Sequence, residues 1–338
     1  MKKKKIWQGI FLLSLIVGSI LILHKQPGFR TDRGFIFGTV YQITYQSDED
    51  LKAEIEERLH MVDNSLSPFN KHSVITAVNN NDSVVLDSMF VEVFRMAEEI
   101  ANQTGGAFDI SVAPLVNAWG FGFKNKIEPT DAAIDSIRRF IGFDKVRLSD
   151  DNPPVVLKKD DRLMLDCGAI AKGYGVDQVA ALLRERGIKN FMVDIGGEVV
   201  VSGKNPKMNK WRIGINKPEE DSLSLNNELE AVLMLENQAL ATSGNYRNFY
   251  YKGGKRYAHT IDPRSGKPVQ HNILSASVIA PNCALADAYA TSFMVMGLDS
   301  ALKFCKNHRE IEGYFICSGN DGKYKIVCTE GVKKLLVR

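Results

Sequence analysis

The sequence predicts an α+β protein: a single mixed domain over residues 31–338, with helices interleaved among antiparallel-rich sheets, behind an N-terminal membrane-directed segment over residues 1–30. Three observations carry that expectation. Amphipathic stretches at helical spacing alternate along the chain with short β-branched and aromatic runs. The 27 glycines and 11 prolines punctuate the chain throughout, without an internal repeat or a low-complexity tract. A composition of 44% apolar and 25% charged residues across 338 positions is that of a globular protein with a sizeable core.

The N-terminus stands apart. Lys2–Lys5 form a basic n-region, and Ile10–Leu23 is an apolar run broken only by Ser14, Gly18 and Ser19. This is an export signal or a membrane anchor. The run is short of the roughly 20 residues that a bilayer needs, although Ile6 and Trp7 extend it. No small-x-small cleavage motif stands out behind it, and the first cysteine is Cys167, which leaves no lipobox cysteine. The expectation is an uncleaved anchor in the inner membrane, with the body facing the periplasm or another extracytoplasmic side, in preference to a cleaved signal. Residues 1–30 hold six of the 43 Lys and Arg and none of the 40 acids, so the remainder carries 37 basic against 40 acidic residues, a net −3. That balance speaks against a nucleic-acid surface. The cysteines (167, 283, 305, 317 and 328) are odd in number and contain no C-x-x-C pair, which disfavours a zinc site or a full disulfide framework. One disulfide among the last three is left open.

Behind the linker with Pro27 and Gly28, Phe35–Tyr45 reads as a first strand. Glu49–Val62 reads as a helix through Leu51, Ile55, Leu59 and Val62. In the turn-rich loop Asn64–Asn70, Phe69 is either a core plug or a ring presented to a ligand; ring size favours the core. Asp87 caps a helix through Gln103 that stops at Gly105-Gly106. Asp109, just beyond, is a polar reader of a ligand or a turn cap. Trp119-Gly120-Phe121-Gly122-Phe123 is an unusual cluster. Thr130–Ile141 reads as a helix, and Val155–Leu157 and Leu163–Leu165 as strands.

Asp166-Cys167-Gly168-Ala169-Ile170-Ala171-Lys172-Gly173 follows, leading into a helix whose body is Val179–Leu183 and whose stop is Gly187. Small residues, a carboxylate and a lysine at a strand-to-helix junction predict a phosphate site, because glycine admits close approach and a helix N-terminus favours anions. Asn190–Ile195 and Glu198–Ser202 read as paired strands around Gly196-Gly197, glycines that serve either a ligand or geometry. Short strands are expected at Trp211–Ile215, Ala231–Leu235, Asn245–Tyr251 and Arg256–Ile261, with the small hydroxyl block Ala241–Gly244 before the third. His259 ends the last of these and runs into an Asp-Pro, Ser-Gly turn, a place where histidine is more often structural than chemical. Asn282 and Gly297 bracket a helix, Ser300–Lys306 begins another, and a hairpin turns at Asn320-Asp321-Gly322.

On the Asn282–Gly297 helix, Asp287 and Thr291 share one face one turn apart. Two hard oxygen donors fit a magnesium ion whose other ligands are water and phosphate; a buried Asp–Thr hydrogen bond is the alternative. The familiar nucleotide and hydrolase motifs are absent: no G-x-x-x-x-G-K-[ST], no complete G-x-G-x-x-G, no G-x-S-x-G and no H-E-x-x-H.

Seven ordered blocks resemble the ApbE-type flavin transferases (FAD:protein FMN transferases) over about residues 35–320: Phe37-Gly38-Thr39, Thr104–Asp109, Asp166–Gly173, Asp194–Gly197, Ala241–Gly244, His259–Pro263 and Ala286–Thr291. The resemblance implies an ApbE-like, T-fold-related domain. It also implies magnesium-dependent transfer of FMN from FAD to a threonine hydroxyl of a target flavoprotein, with release of AMP. It places the metal on the Ala169 carbonyl, Asp287 and Thr291. Flavin and phosphates would meet Phe37, Phe69, Ala107, Phe108, Asp109, Asp166, Lys172, His259, Thr260 and Ile261. Phe37 and Phe69 stand where many members carry Met and Tyr. In this light Lys172 and the metal neutralise phosphate charge and His259 is the general base. The implied acceptor is an exported or membrane redox subunit. Two other readings of the same residues are a magnesium-dependent FAD pyrophosphatase giving FMN and AMP, and a non-catalytic membrane-tethered flavin-binding protein.

Overall fold

The computed structural model describes residues 7, 11, 27–121, 129–218, 228–245, 249–252, 255–258, 260–319 and 323–337. The expected anchor, apart from positions 7 and 11, lies outside the described residues, as do His259, Gly122, Phe123 and the turn at 320–322. Among the described residues no helix is long and apolar enough to cross a membrane.

One eight-stranded sheet organises the fold, and its spatial order follows chain order: Phe29–Ile36, Thr39–Gln46, Phe191–Ile195, Glu198–Ser202, Gln238–Gly244, Ile273–Ala280, Glu312–Ser318 and Tyr324–Cys328. Every neighbouring pair is antiparallel. The longest excursion from the sheet, between the second and third strands, holds the helices Lys52–Leu66, Val74–Asn80, Ser88–Gln103, Ala113–Ala118, Asp131–Arg138 and Ala171–Glu185.

The inner strands are buried on both faces, with alternate residues serving two cores. Val200, Val278, Phe315 and Cys317 face the main core with Leu59, Phe94, Val179 and Phe293 from the helices. Val199, Val201, Ile279 and Ile316 face a second core beneath the antiparallel pair Trp211–Asn216 and Leu229–Leu235. All five cysteines are unpaired, so the disulfide left open among the last three is not formed: Cys317 faces the main core while Cys328 packs against the other, on opposite faces of the sheet.

The predicted helix starts hold well. Asp87 accepts from the Phe90 amide at 2.8 Å, Thr130 caps Asp131–Arg138, and Asn282 accepts from the Leu285 amide at 2.9 Å. Four expectations are corrected. Phe35–Tyr45 is not one strand but a hairpin, turning at Phe37 (φ 52°) and Gly38 (φ 74°), with Ile36 opposite Thr39. Leu163–Leu165 is buried but pairs with no strand; the Asn79 side-chain amide bonds both the Leu165 N–H, at 2.7 Å, and its carbonyl, at 2.9 Å. The helix after this stretch begins at Ala171, which puts Lys172 and Gly173 in its first turn. Ala241–Gly244 lies inside a central strand rather than before one, and its partner Ile273–Ala280 goes unpredicted, because a strand buried on both faces does not alternate.

Candidate active site

The site is assembled where the Ala171–Glu185 and Cys283–Met296 helices cross over the sheet. Before the first of these helices the chain turns tightly: the Ile170 and Ala171 amides donate to the Cys167 carbonyl at 3.0 and 2.8 Å. The Gly168 amide donates to Asp166 Oδ1 at 2.7 Å and fixes that carboxylate; burial nevertheless pushes the Asp166 pKa up, with the Gly168 N–H opposing.

Gly173 sets how closely the two helices approach. A Cβ there would lie 2.3 Å from the carbonyl oxygen of Cys283 and 2.9 Å from Cα of Ala284. The Gly173 amide donates instead to Asp287 Oδ2 at 3.1 Å. One turn further on, Asp177 receives the first amides of the second helix, Cys283 N on Oδ1 and Ala284 N on Oδ2, each at 2.8 Å.

A cavity of about 550 Å³ opens beside this junction. Asp287 and Thr291 line it together with Ala169 and Lys172. Burial raises the Asp287 pKa, and the Lys172 ammonium and the Gly173 N–H oppose that rise. Lys172 Nζ lies 2.6 Å from Glu198 Oε1. Burial works against the lysine charge, but Asp287 and Glu198 outweigh it and hold the ammonium above the ordinary lysine value. Glu198 is only 3% exposed, and its Oε2 has no hydrogen-bond partner. Its own pKa is raised by burial, against the pull of Lys172.

The opposite wall carries the other predicted residues. Ala107 and Phe108 are buried in the lining. Asp109 both lines the cavity and accepts from the Ser111 amide at 2.8 Å, so its reader and turn-cap roles coexist; burial raises its pKa. Asp166, Thr260 and Ile261 are lining residues too, and the Thr260 hydroxyl donates to Asn245 Oδ1 at 2.7 Å. Phe69 is 77% exposed and faces the cavity, which corrects its reading as a core plug: the loop carries the ring outside the packed helices. Phe37 is not among the residues lining this cavity; the turn geometry swings its ring over Gly175, where a Cβ would meet it at 2.6 Å. Glu198 is the site residue that sequence reasoning missed. Its available signal was a lone acid opening the apolar run Val199–Val201 straight after Gly196-Gly197.

The donor set fits a hard divalent cation. Asp287, Thr291 and the Ala169 segment offer oxygen, and two buried carboxylates, Asp287 and Glu198, act on one lysine, an arrangement that a cation beside Asp287 would help to neutralise. Among the described residues no three His, Cys, Asp or Glu side chains converge on one metal position, so water and ligand oxygens would complete such a shell. A phosphate between this cation position and Lys172 would be neutralised from two sides.

Residues 37–315 match the ApbE family. The chain is 34% identical to the FAD:protein FMN transferase of Haemophilus influenzae, over 94% of this chain and 95% of that one. It is also 34% identical to the FAD:protein FMN transferase of Vibrio cholerae, over 86% and 87%. Its fold is similar to the solved flavin transferase ApbE from Vibrio cholerae, with a TM-score of 0.80, 32% identity and coverage of 91% and 99% of the two chains. The apo flavinyl transferase ApbE of Pseudomonas stutzeri gives a TM-score of 0.81 at 28% identity, with coverage of 92% and 98%.

Proposed function

The chain belongs to the ApbE family, and from that premise we infer that it is an FAD:protein FMN transferase, moving the FMN half of FAD onto a target flavoprotein. The observation that carries this reading is the meeting of Lys172, Asp287 and Thr291 on one cavity wide enough for a flavin.

In the proposed reaction the oxygen of an acceptor threonine hydroxyl attacks the FMN-side phosphorus of FAD. A new P–O bond forms there, the P–O–P bridge breaks, AMP leaves, and the hydroxyl proton passes to His259. Asp287, Thr291 and the Ala169 carbonyl are the proposed holders of magnesium, which when bound supplies charge neutralisation at the phosphates. Lys172 supplies a fixed positive charge to the same phosphates. Asp166 and Asp109 are carboxylates that burial disposes toward protonation, suited to hydrogen bonding the flavin rather than repelling its phosphates. Phe69 and Phe108 offer apolar contact to the ring system.

The basic n-region and apolar run over residues 1–23 support an inner-membrane tether with the catalytic body on the extracytoplasmic side. An exported or membrane redox subunit is the acceptor class that this placement favours.

The test is incubation with FAD and magnesium, with and without a candidate acceptor, followed by mass spectrometry of the acceptor and quantitation of AMP. FMN on an acceptor threonine, with AMP in equal amount and only when the acceptor is present, is the expected result. AMP and free FMN without acceptor would make water the acceptor, and retained FAD with no AMP would make the protein a carrier.

A further inference from the structure

Two carboxylates compete for one ammonium in this site, and the structure shows which one wins. Among the described residues the ion pair of Lys172 is with Glu198, Nζ to Oε1 at 2.6 Å. The charge of Asp287 nonetheless acts on the same ammonium. Asp287 instead takes a backbone N–H from Gly173 at 3.1 Å. Glu198 is placed for this by the Gly196-Gly197 turn, where φ values of 65° and 99° reverse the chain and the Gly197 amide donates to Asp194 Oδ1 at 2.9 Å. The strand that begins at Glu198 therefore starts with its carboxylate buried against the first turn of the lysine's helix. Leaving Oε2 buried without a partner is unfavourable, and a carboxylate kept in such a position calls for a role.

We propose that Glu198 is a positioning residue that draws the Lys172 ammonium away from Asp287, keeping the Asp287 carboxylate available to the divalent cation and the lysine aimed at the substrate phosphates. The inference rests on the proposed cation at Asp287 and Thr291. Without the Glu198 charge, Asp287 is left as the carboxylate acting on the ammonium, and the lysine would then compete with the cation for it.

Calorimetric titration of magnesium chloride into the full FAD-loaded protein tests this. Glu198→Gln, nearly isosteric, weakens magnesium binding by about tenfold or more, in the range of losses seen when a residue orienting a metal ligand is changed. Adding Lys172→Met to Glu198→Gln removes the competing ammonium and restores binding, and Lys172→Met alone binds magnesium at least as tightly as the wild type. A loss caused by misfolding would not be rescued by a second substitution in the same pocket.

The inference is overturned if Glu198→Gln binds magnesium like the wild type, if the double variant stays as weak as Glu198→Gln, if Lys172→Met weakens binding, or if the wild type binds no magnesium. A double variant that stays weak would make Glu198 a ligand itself. Transfer of FMN is assayed separately. Wild-type transfer with unchanged magnesium binding in Glu198→Gln removes this inference alone, and the expected magnesium pattern in a protein that transfers no FMN removes the functional reading alone.

Discussion

The amide nitrogen of Gly173 lies 3.1 Å from Oδ2 of Asp287, although 114 residues separate them in the chain. The contact is possible only because residue 173 has no side chain: the backbone of the second helix fills the space where a Cβ would stand. A backbone donor thereby orients the carboxylate proposed to hold the metal. The same close packing lets Asp177 reach the buried amides at the start of that helix, which have no partner within it. Two distant segments are thus locked in register by three hydrogen bonds and one missing methyl.

Gly173→Ala is accordingly expected to damage stability and metal binding together. The added methyl would meet Cys283 backbone atoms at 2.3 and 2.7 Å, which no side-chain rotation relieves. Overpacking of this kind costs about 1–3 kcal/mol. Chemical denaturation reads the stability and magnesium titration the site. A variant as stable as the wild type with unchanged magnesium affinity would show that the helices slide apart freely.

How much of this was legible in the sequence depends on the kind of signal each residue leaves. Caps are local, and Asp87, Thr130 and Asn282 were readable because the residue that accepts the amide sits three positions from the amide it accepts. Hydrophobic periodicity and caps found the longer helices, missed short ones such as Val74–Asn80, and failed at Ile273–Ala280, which is buried on both faces and carries serines at 275 and 277. The pairing of Asp287 with Thr291 was legible from their helical spacing. The pairing of Lys172 with Glu198 was not, because it crosses from a helix to a strand and leaves no periodicity. Phe69 and Phe37 show the limit for aromatic rings: ring size favoured the core for Phe69 while the resemblance placed it on the flavin, and it lines the cavity; Phe37, placed on the flavin by the same resemblance, packs on Gly175.

Asp287→Ala is expected to abolish magnesium binding and to take FMN transfer below detection. The fold should survive, because burial already disfavours the charged carboxylate and its removal leaves one backbone N–H to be satisfied by water in the cavity. Transfer assays over a magnesium series, beside a thermal melt, separate the two effects. Full transfer without added magnesium would remove Asp287 from the proposed metal site.

His259→Ala is expected to bind FAD normally and to slow transfer by about 10²–10⁴-fold, the usual contribution of a general base. Single-turnover rates with saturating FAD read the loss. An unchanged rate would remove His259 as the base.

Asp177 should give the protein a pH-dependent stability. Burial, opposed by the Cys283 and Ala284 amides, raises its pKa from 3.8 to about 6. The folded state therefore favours the protonated acid more than the unfolded chain does. Its contribution is fully present below pH 4 and is lost as pH rises through about 6, an effect of about 3 kcal/mol at about 1.4 kcal/mol per unit. Asp177→Asn cannot titrate, so denaturation midpoints at pH 4, 5, 6 and 7.5 should show the wild type falling relative to the variant over that window. Parallel curves would mean that the carboxylate stays ionised across the range.

Phe69 separates a ligand contact from a core contact by magnitude. The ring is 77% exposed and lines the cavity. If it serves the flavin, Phe69→Ala leaves folding stability within about 0.5 kcal/mol and weakens FAD binding by the worth of an aromatic contact, about 0.5–1.5 kcal/mol or up to roughly tenfold. A buried Phe→Ala change would instead cost about 3–5 kcal/mol of stability. Phe69→Tyr keeps the ring, adds a hydroxyl at an exposed edge, and should bind FAD at least as tightly as the wild type. Flavin fluorescence titration and urea denaturation, run on the same two variants, give both numbers. A large loss of stability with unchanged FAD affinity would return Phe69 to the core.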